Sequence, residues 1–278
     1  MHHEQDMRKM GGLRKYMPIT YITCLLGALA LIGTPGFSGF FSKDALIEAV
    51  HASNIPGATY AYYCVLIGVF VTALYTFRMI FMTFHGPERF HAAQDDDAHH
   101  GHDDHGHGHG GTPHETPWVV WLPLVLLAIP SVIIGWIAIE PMLFGGYFDG
   151  AIFTAEAHDV VGELAHHWHG PAAFIVHAFQ GPAIYLAIAG VVTAWLFFLK
   201  NPHWADAVQS RVQWAYKLLV NKYYFDWFNE QVIARLARGL GLTLWKAGDQ
   251  MLIDGALVNG SARTVGWIGA AVRHVQSG

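Results

Sequence analysis

Four stretches without a single Asp, Glu, Lys or Arg constrain what this chain can fold into: residues 16–42, 57–77, 117–139 and 172–199. At about 1.5 Å of rise per residue, each is long enough as a helix to cross a bilayer core of roughly 30 Å, or nearly so. The 278 residues are 53% hydrophobic and 13% charged, against about 25% charged in an ordinary soluble domain. In hydrocarbon every backbone N–H and C=O must be satisfied internally, so such runs fold as helices. The expected fold class is all-α: a polytopic membrane bundle of about five transmembrane helices, one of them broken, followed by a long amphipathic lateral helix.

The expected spans are 16–33, 37–53, 58–84, 118–139 and 172–199. Thr34-Pro35-Gly36 separates the first two, since proline and glycine end a helix. Trp118, Trp121 and Trp136 are read as interfacial anchors, and Pro123 and Pro130 as kinks. The loop 141–170 carries Asp149, Glu156, Asp159 and Glu163 but no Lys or Arg, whereas Arg211, Lys217, Lys222, Arg235 and Arg238 follow Lys200. The positive-inside rule puts the first outside and the second in the cytoplasm. Counting back through five spans then places the basic opening segment outside, against the same rule. A four-span reading with 37–53 re-entrant removes that conflict.

The segment after the break, Gly39-Phe40-Phe41-Ser42-Lys43-Asp44, sets an ammonium and a carboxylate directly after an apolar run. Ionisable groups at membrane depth are costly and usually mark an ion path. The competing account is a lysine that flanks a span and snorkels to the headgroups, which also serves for Arg78. Helical spacing gathers Lys43 and Ile47 on one side and Asp44 and Glu48 on the adjacent one. Such a helix needs neighbours or an aqueous path to cover its charges.

Other features are less specific. Cys24 and Cys64 lie inside apolar runs without metal-site spacing and read as packing residues. The run His99 to Gly111 is rich in His, Asp and Gly. It offers ligands without a scaffold and reads as a solvated loop, with no metal expected. A formal net charge of -5 argues against nucleic acid as a partner. In the tail, Phe225, Phe228, Val232, Leu236 and Leu240 recur at helical spacing, and an apolar stripe continues through Leu252, Ala256 and Val265. Interruptions are expected around Gly239–Gly241 and Asn259–Gly260. The organisation is thus 1–85 core, 86–116 His/Asp/Gly-rich loop, 117–200 two further helices and 201–278 amphipathic tail.

Taken together, His2-His3-Glu4-Gln5-Asp6-Met7-Arg8-Lys9, Gly39-Phe40-Phe41-Ser42-Lys43-Asp44 and Tyr75-Thr76-Phe77-Arg78-Met79 closely resemble the L-type antiporter-like membrane subunits of proton-pumping NADH:quinone oxidoreductase, respiratory complex I. Asn221-Lys222-Tyr223-Tyr224-Phe225-Asp226 and Trp245-Lys246-Ala247-Gly248-Asp249 resemble the lateral-helix region of that family. The resemblance implies a proton-translocating subunit without a redox cofactor or direct NADH binding. Lys43, Asp44 and Glu48 would be its proton-translocation residues, with no covalent catalysis. Its partners would be the lipid bilayer, protons and other membrane subunits of the complex, reached through the lateral helix.

It further implies a multi-pass protein of the bacterial inner membrane, with the His-rich loop and the tail on the cytoplasmic side. Against the family pattern the chain reads as a C-terminal fragment, and it is expected to be inactive alone. Multisubunit sodium/proton antiporters and membrane hydrogenases share the broken-helix lysine. A zinc transporter, suggested by the His-rich loop, would need His and Asp paired within spans, and a haem-binding subunit would need facing histidines on two helices.

Overall fold

The computed structural model describes residues 5–90, 112–155 and 158–276. The His-rich run at 99–111, the opening His2-His3-Glu4 and Glu156 lie outside the described residues. Among those described there are helices and loops but no strands. The chain forms two compact units, Met1–Asp206 and Ala207–Gly278.

In the first unit α1 (Pro18–Ile32) opens with proline at a position whose missing N–H costs nothing. The next two amides, of Ile19 and Thr20, donate to Glu115 Oε2 at 2.7 and 3.4 Å, and Thr20 Oγ1 donates to Oε1 at 2.6 Å. Burial alone would push the Glu115 carboxyl up. The hydrogen bonds from Thr20, Ile19 and Thr116 outweigh it and hold the group below its ordinary value of 4.5. This carboxylate caps a helix whose N-terminal end carries partial positive charge.

At its other end α1 stops on Gly33 in the left-handed region, with φ 75. The Gly33 amide donates to the Ala30 and Leu29 carbonyls, and Thr34 N donates to Leu29 O at 3.0 Å. After the Pro35-Gly36 turn, α2 (Ser38–Ala52) begins. Gly39 rests on the Ala30 carbonyl, while Lys43 covers Gly33 and donates to the Ile32 carbonyl. Residue numbers thus rise together along the two helices. The second continues in the direction of the first, displaced sideways.

The third helix, α3 (Ala58–Phe84), starts beside the end of α2, where the His51 and Tyr62 rings lie 4.8 Å apart. It returns to the start of α1, where Tyr21 and His85 meet at 3.1 Å. Arg14 Nη1 lies 3.3 Å from His85 Nδ1; a guanidinium only donates, so Nδ1 accepts and Nε2–H donates to the Tyr21 hydroxyl. Burial and the Arg14 charge both hold this imidazole below its ordinary value, that is, neutral.

Next, α4 (Trp118–Ile139) runs on through a wide turn, Glu140–Phe144, and packs along α1 and α2. It passes through Pro123 and Pro130 as one helix. Then follow α5 (Pro171–Ala178) and α6 (Pro182–Trp195), the latter prolonged to Lys200. The α6 helix lies along α3 with a stripe of Ala183, Ala187, Gly190 and Ala194, which lets the backbones close: a Cβ on Gly190 would overlap Ala73 and the Phe70 carbonyl. Arg78 stands 5.2 Å over the Phe198 ring. Outward-facing Ile67, Val71, Leu126, Leu127 and Ile188 are exposed, as on a bundle solvated by lipid.

Among the described residues, three helices are long and apolar enough to cross a membrane: Ala58–Phe84, Trp118–Phe144 and Pro182–Lys200. The expected first and second spans join as one broken crossing, because each has only 15 residues and the two run end over end. The expected fifth is itself broken at Gln180-Gly181-Pro182, where proline withholds an amide and turns the preceding residue away from helix. With the broken pair taken as one crossing, the described residues hold four. Arg8, Lys9, Arg14, Lys15, Arg89 and Lys200 then share one face, and the opposite face, 53–57 and 140–170, has no Lys or Arg. The charge conflict of the five-span count disappears.

Further along lie α7 (His203–Arg211) and α8 (Gln213–Val220). Lys222, Tyr223 and Tyr224 then take three successive left-handed conformations, with φ of 51, 56 and 61. Beyond them the chain is helical from 225 to 275, about 75 Å at about 1.5 Å per residue. We call this α9. The breaks expected at Gly239–Gly241 and Asn259–Gly260 do not occur. A glycine within a helix costs roughly 0.5–1 kcal/mol, not its continuity, and the helix instead widens over Leu244–Asn259.

Replacing Glu115 with Ala is expected to remove about 1–2 kcal/mol of stability, read by thermal unfolding of the detergent-solubilised protein. The folded-state value of this carboxyl is depressed, so its contribution is fully present above 4.5 and fades as pH falls through the lowered value. The gap between wild type and Glu115→Ala should therefore close in acid. An unchanged gap would exclude the cap.

Candidate functional site

The candidate site begins at the break between α1 and α2. A helix end leaves its last carbonyls without partners, and burial without replacements is costly. Leu29 and Ala30 are served by the amides of the turn. Ile32 receives the Lys43 ammonium instead. Lys43 thus places a positive charge at the negative end of α1. Its alkyl chain lies over Gly33, where a Cβ would overlap Cε and Nζ.

From the other side α4 grips the same break. Trp136 Nε1 donates to Gly36 O at 2.7 Å, and Ser38 Oγ donates to the Ser131 carbonyl at 2.8 Å. Gly135 allows the approach, since a Cβ there would overlap Phe41 and the Ser38 backbone. Phe40 and Phe41, 3% and 1% exposed, lock α2 against Ile139 and Phe174. Trp136, expected as an interfacial anchor, is a clamp on the break.

Asp44 follows Lys43 in sequence but projects elsewhere, as neighbours on a helix must. It is buried, 8% exposed, and with Glu48 it lines an open cavity of about 960 Å³. The cavity is bounded by α2, the start of α3, α5 and the loop before α5, which contributes His167 and His169. Glu48 Oε1 lies 3.0 Å from His177 Nδ1 on α5. Of the three residues singled out from sequence, Asp44 and Glu48 share this cavity. Lys43 instead engages a backbone carbonyl at the break, and among the described residues it forms no ion pair.

Sequence reasoning missed the clamps, Ser38, Gly135 and Trp136, and the partner of Glu48. The available signal for His177 was a lone histidine in an apolar run three residues before Gln180-Gly181-Pro182. Both cysteines are free. Among the described residues no group of three or more His, Cys, Asp or Glu side chains is placed to hold a metal ion.

Residues 1–77 match the family model described as NADH:quinone oxidoreductase/Mrp antiporter, TM. Over its whole length the chain is 51% identical to NADH-quinone oxidoreductase subunit L of Neisseria meningitidis serogroup A, covering 42% of that protein. It is 32% identical to subunit L of Rhodobacter capsulatus, with all of this chain and 45% of the relative aligned. It is also 32% identical to NAD(P)H-quinone oxidoreductase chain 5 of a Picosynechococcus species, over 99% of this chain and 40% of the relative. The chain spans under half the length of these relatives.

Gly39→Val is expected to cost roughly 1–3 kcal/mol by forcing α2 off the Ala30 carbonyl. Gly27→Ala, where a Cβ meets open space, should be tolerated. Thermal unfolding of both variants in detergent checks the pair. Equal behaviour would mean that the close approach of α1 and α2 is absent.

Proposed function

We propose that this chain, whose residues 1–77 match the NADH:quinone oxidoreductase/Mrp antiporter family model and which is similar along its length to subunit L, belongs to that antiporter-like family and is the proton-translocating part of such a subunit. The observation that carries this reading is the polar break at membrane depth, with an ammonium on one side and a carboxylate-lined cavity on the other. A membrane protein accepts buried charges and interrupted helices where they serve transport. No redox step is assigned to these residues; they hold and pass protons while electron transfer from NADH to quinone takes place elsewhere.

In this reading Lys43 is the charged station at the break. Its stem sits against Gly33, so a small change at the glycine turn moves the ammonium relative to Asp44. Asp44 and Glu48, one helical turn apart, lead from there to the cavity. The face rich in Arg and Lys is cytoplasmic by the positive-inside rule, together with the 91–111 loop and the tail, and the cavity opens on the other face. The α9 helix, whose apolar residues such as Leu236, Leu240 and Leu244 are exposed, braces neighbouring membrane subunits of the complex. The description of the matched family also names Mrp antiporters. The similarity to subunit L beyond residue 77 favours the oxidoreductase.

Lys43→Ala in the full-length subunit, within an assembled complex, is expected to lower NADH-driven proton pumping while NADH oxidation by the soluble arm is largely kept. Pumping measured in membrane vesicles at wild-type assembly decides it, and unimpaired pumping would refute the role. Deleting residues 95–111 should leave pumping nearly unchanged. A large loss in the same assay would assign the loop a function.

A further inference from the structure

His177 lies in the last turn of α5, a helix outside the 77 residues that match the family model. It is the one α5 side chain paired with the acidic face of α2, at 3.0 Å from Glu48 Oε1. The pair grades from shielded to open: the Glu48 side chain is 26% exposed and the imidazole 64%. The break at Gln180–Pro182 ends α5 just past this residue and leaves the ring in the cavity wall. The titratable groups facing it are Asp44, Glu48 and His51 on α2, Tyr62 on α3, and His167 and His169 on the loop before α5. Asp44 is the buried end of this series and the loop histidines are its exposed end.

Building on the function proposed above, we infer that His177 is the group that carries protons between Glu48 and the water of the cavity. Protonated Glu48 gives its proton to Nδ1 of a neutral ring; the O–H bond breaks, an N–H bond forms, and carboxylate and imidazolium face each other. The imidazolium then releases its Nε2 proton to cavity water, which leaves the Nδ1–H tautomer donating to Glu48. The exposed ring then turns about Cβ–Cγ toward the cavity, where Nε2 takes a proton from water and Nδ1 gives its proton to water, which restores the starting tautomer with no net proton moved. Imidazole suits this task because both of its nitrogens exchange protons near neutral pH. An exposed ion pair kept only for stability contributes little, so the alternative of a mere tether is separable by experiment.

The test uses the full-length subunit in the assembled complex, in membrane vesicles energised with NADH. His177→Ala is expected to slow pumping roughly a hundredfold, and added imidazole, which can enter the open cavity, should restore it. His177→Gln, which keeps a hydrogen bond to Glu48 but cannot ionise, should be as slow as His177→Ala. Restoration of pumping by glutamine, or a loss that imidazole does not repair, would reduce His177 to a positioning residue and overturn the inference. Normal pumping in His177→Ala beside impaired Lys43→Ala would also overturn it, while leaving the Lys43 path intact. Normal pumping in both would remove that path as well.

Discussion

A helix that stops inside a membrane leaves carbonyls with no water to bind, and the rest of this structure depends on how Ile32 meets that need. The Lys43 ammonium takes the place of the missing amide. A hydrogen bond to a charged group contributes about 1.5–3 kcal/mol net, more than the neutral bond it replaces. In return the carbonyl end of α1 gives a lysine a reason to stay at depth. Each feature requires the other: without the break Lys43 would be an unpaired charge in hydrocarbon, and without Lys43 the break would expose backbone.

That exchange dictates much of the packing around it. The glycines at 33, 39 and 135 are places where a neighbour occupies the volume of a side chain. Trp136 and Ser38 tie α4 to the turn, and the Phe40–Phe41 pair packs α2 against Ile139 and Phe174. Because α2 carries its charges on separate sides, the cation faces the break while Asp44 and Glu48 face the cavity. A proton path benefits from this separation, since Lys43 and Asp44 are adjacent in sequence yet not locked into one ion pair. At the opposite end of α1, Glu115 and the Tyr21–His85–Arg14 group hold the helix start.

The helical class and the membrane character were legible from the uncharged runs, because lipid leaves helices as the natural way to bury backbone there. The separation of Lys43 from Asp44 and Glu48 was legible too, from helical spacing alone. What spacing cannot convey is which way a second helix runs after a Pro-Gly turn. That depends on Gly39 meeting Ala30, a contact between backbones with no side-chain signature, and so two half-helices read as two spans. Glu48 and His177 lie far apart in sequence and meet through a turn at Gln180-Gly181-Pro182 that hydropathy hides, since the residues on both sides are apolar. In the tail the glycines suggested breaks, yet the helix is interrupted at Val212 and at Lys222–Tyr224, residues without turn chemistry.

The central claim is that α1 and α2 are one crossing, interrupted at the lysine, rather than two spans. Site-directed labelling tests it directly in the full-length subunit, with Cys24 and Cys64 replaced by Ala. Single cysteines are placed at Met10→Cys, before α1, and Asn54→Cys, after α2, and each is challenged with a membrane-impermeant thiol reagent in right-side-out and inverted vesicles. The two cysteines should label from opposite faces. Labelling of both from the same face would contradict the single broken crossing and, with it, the placement of Lys43 at its centre.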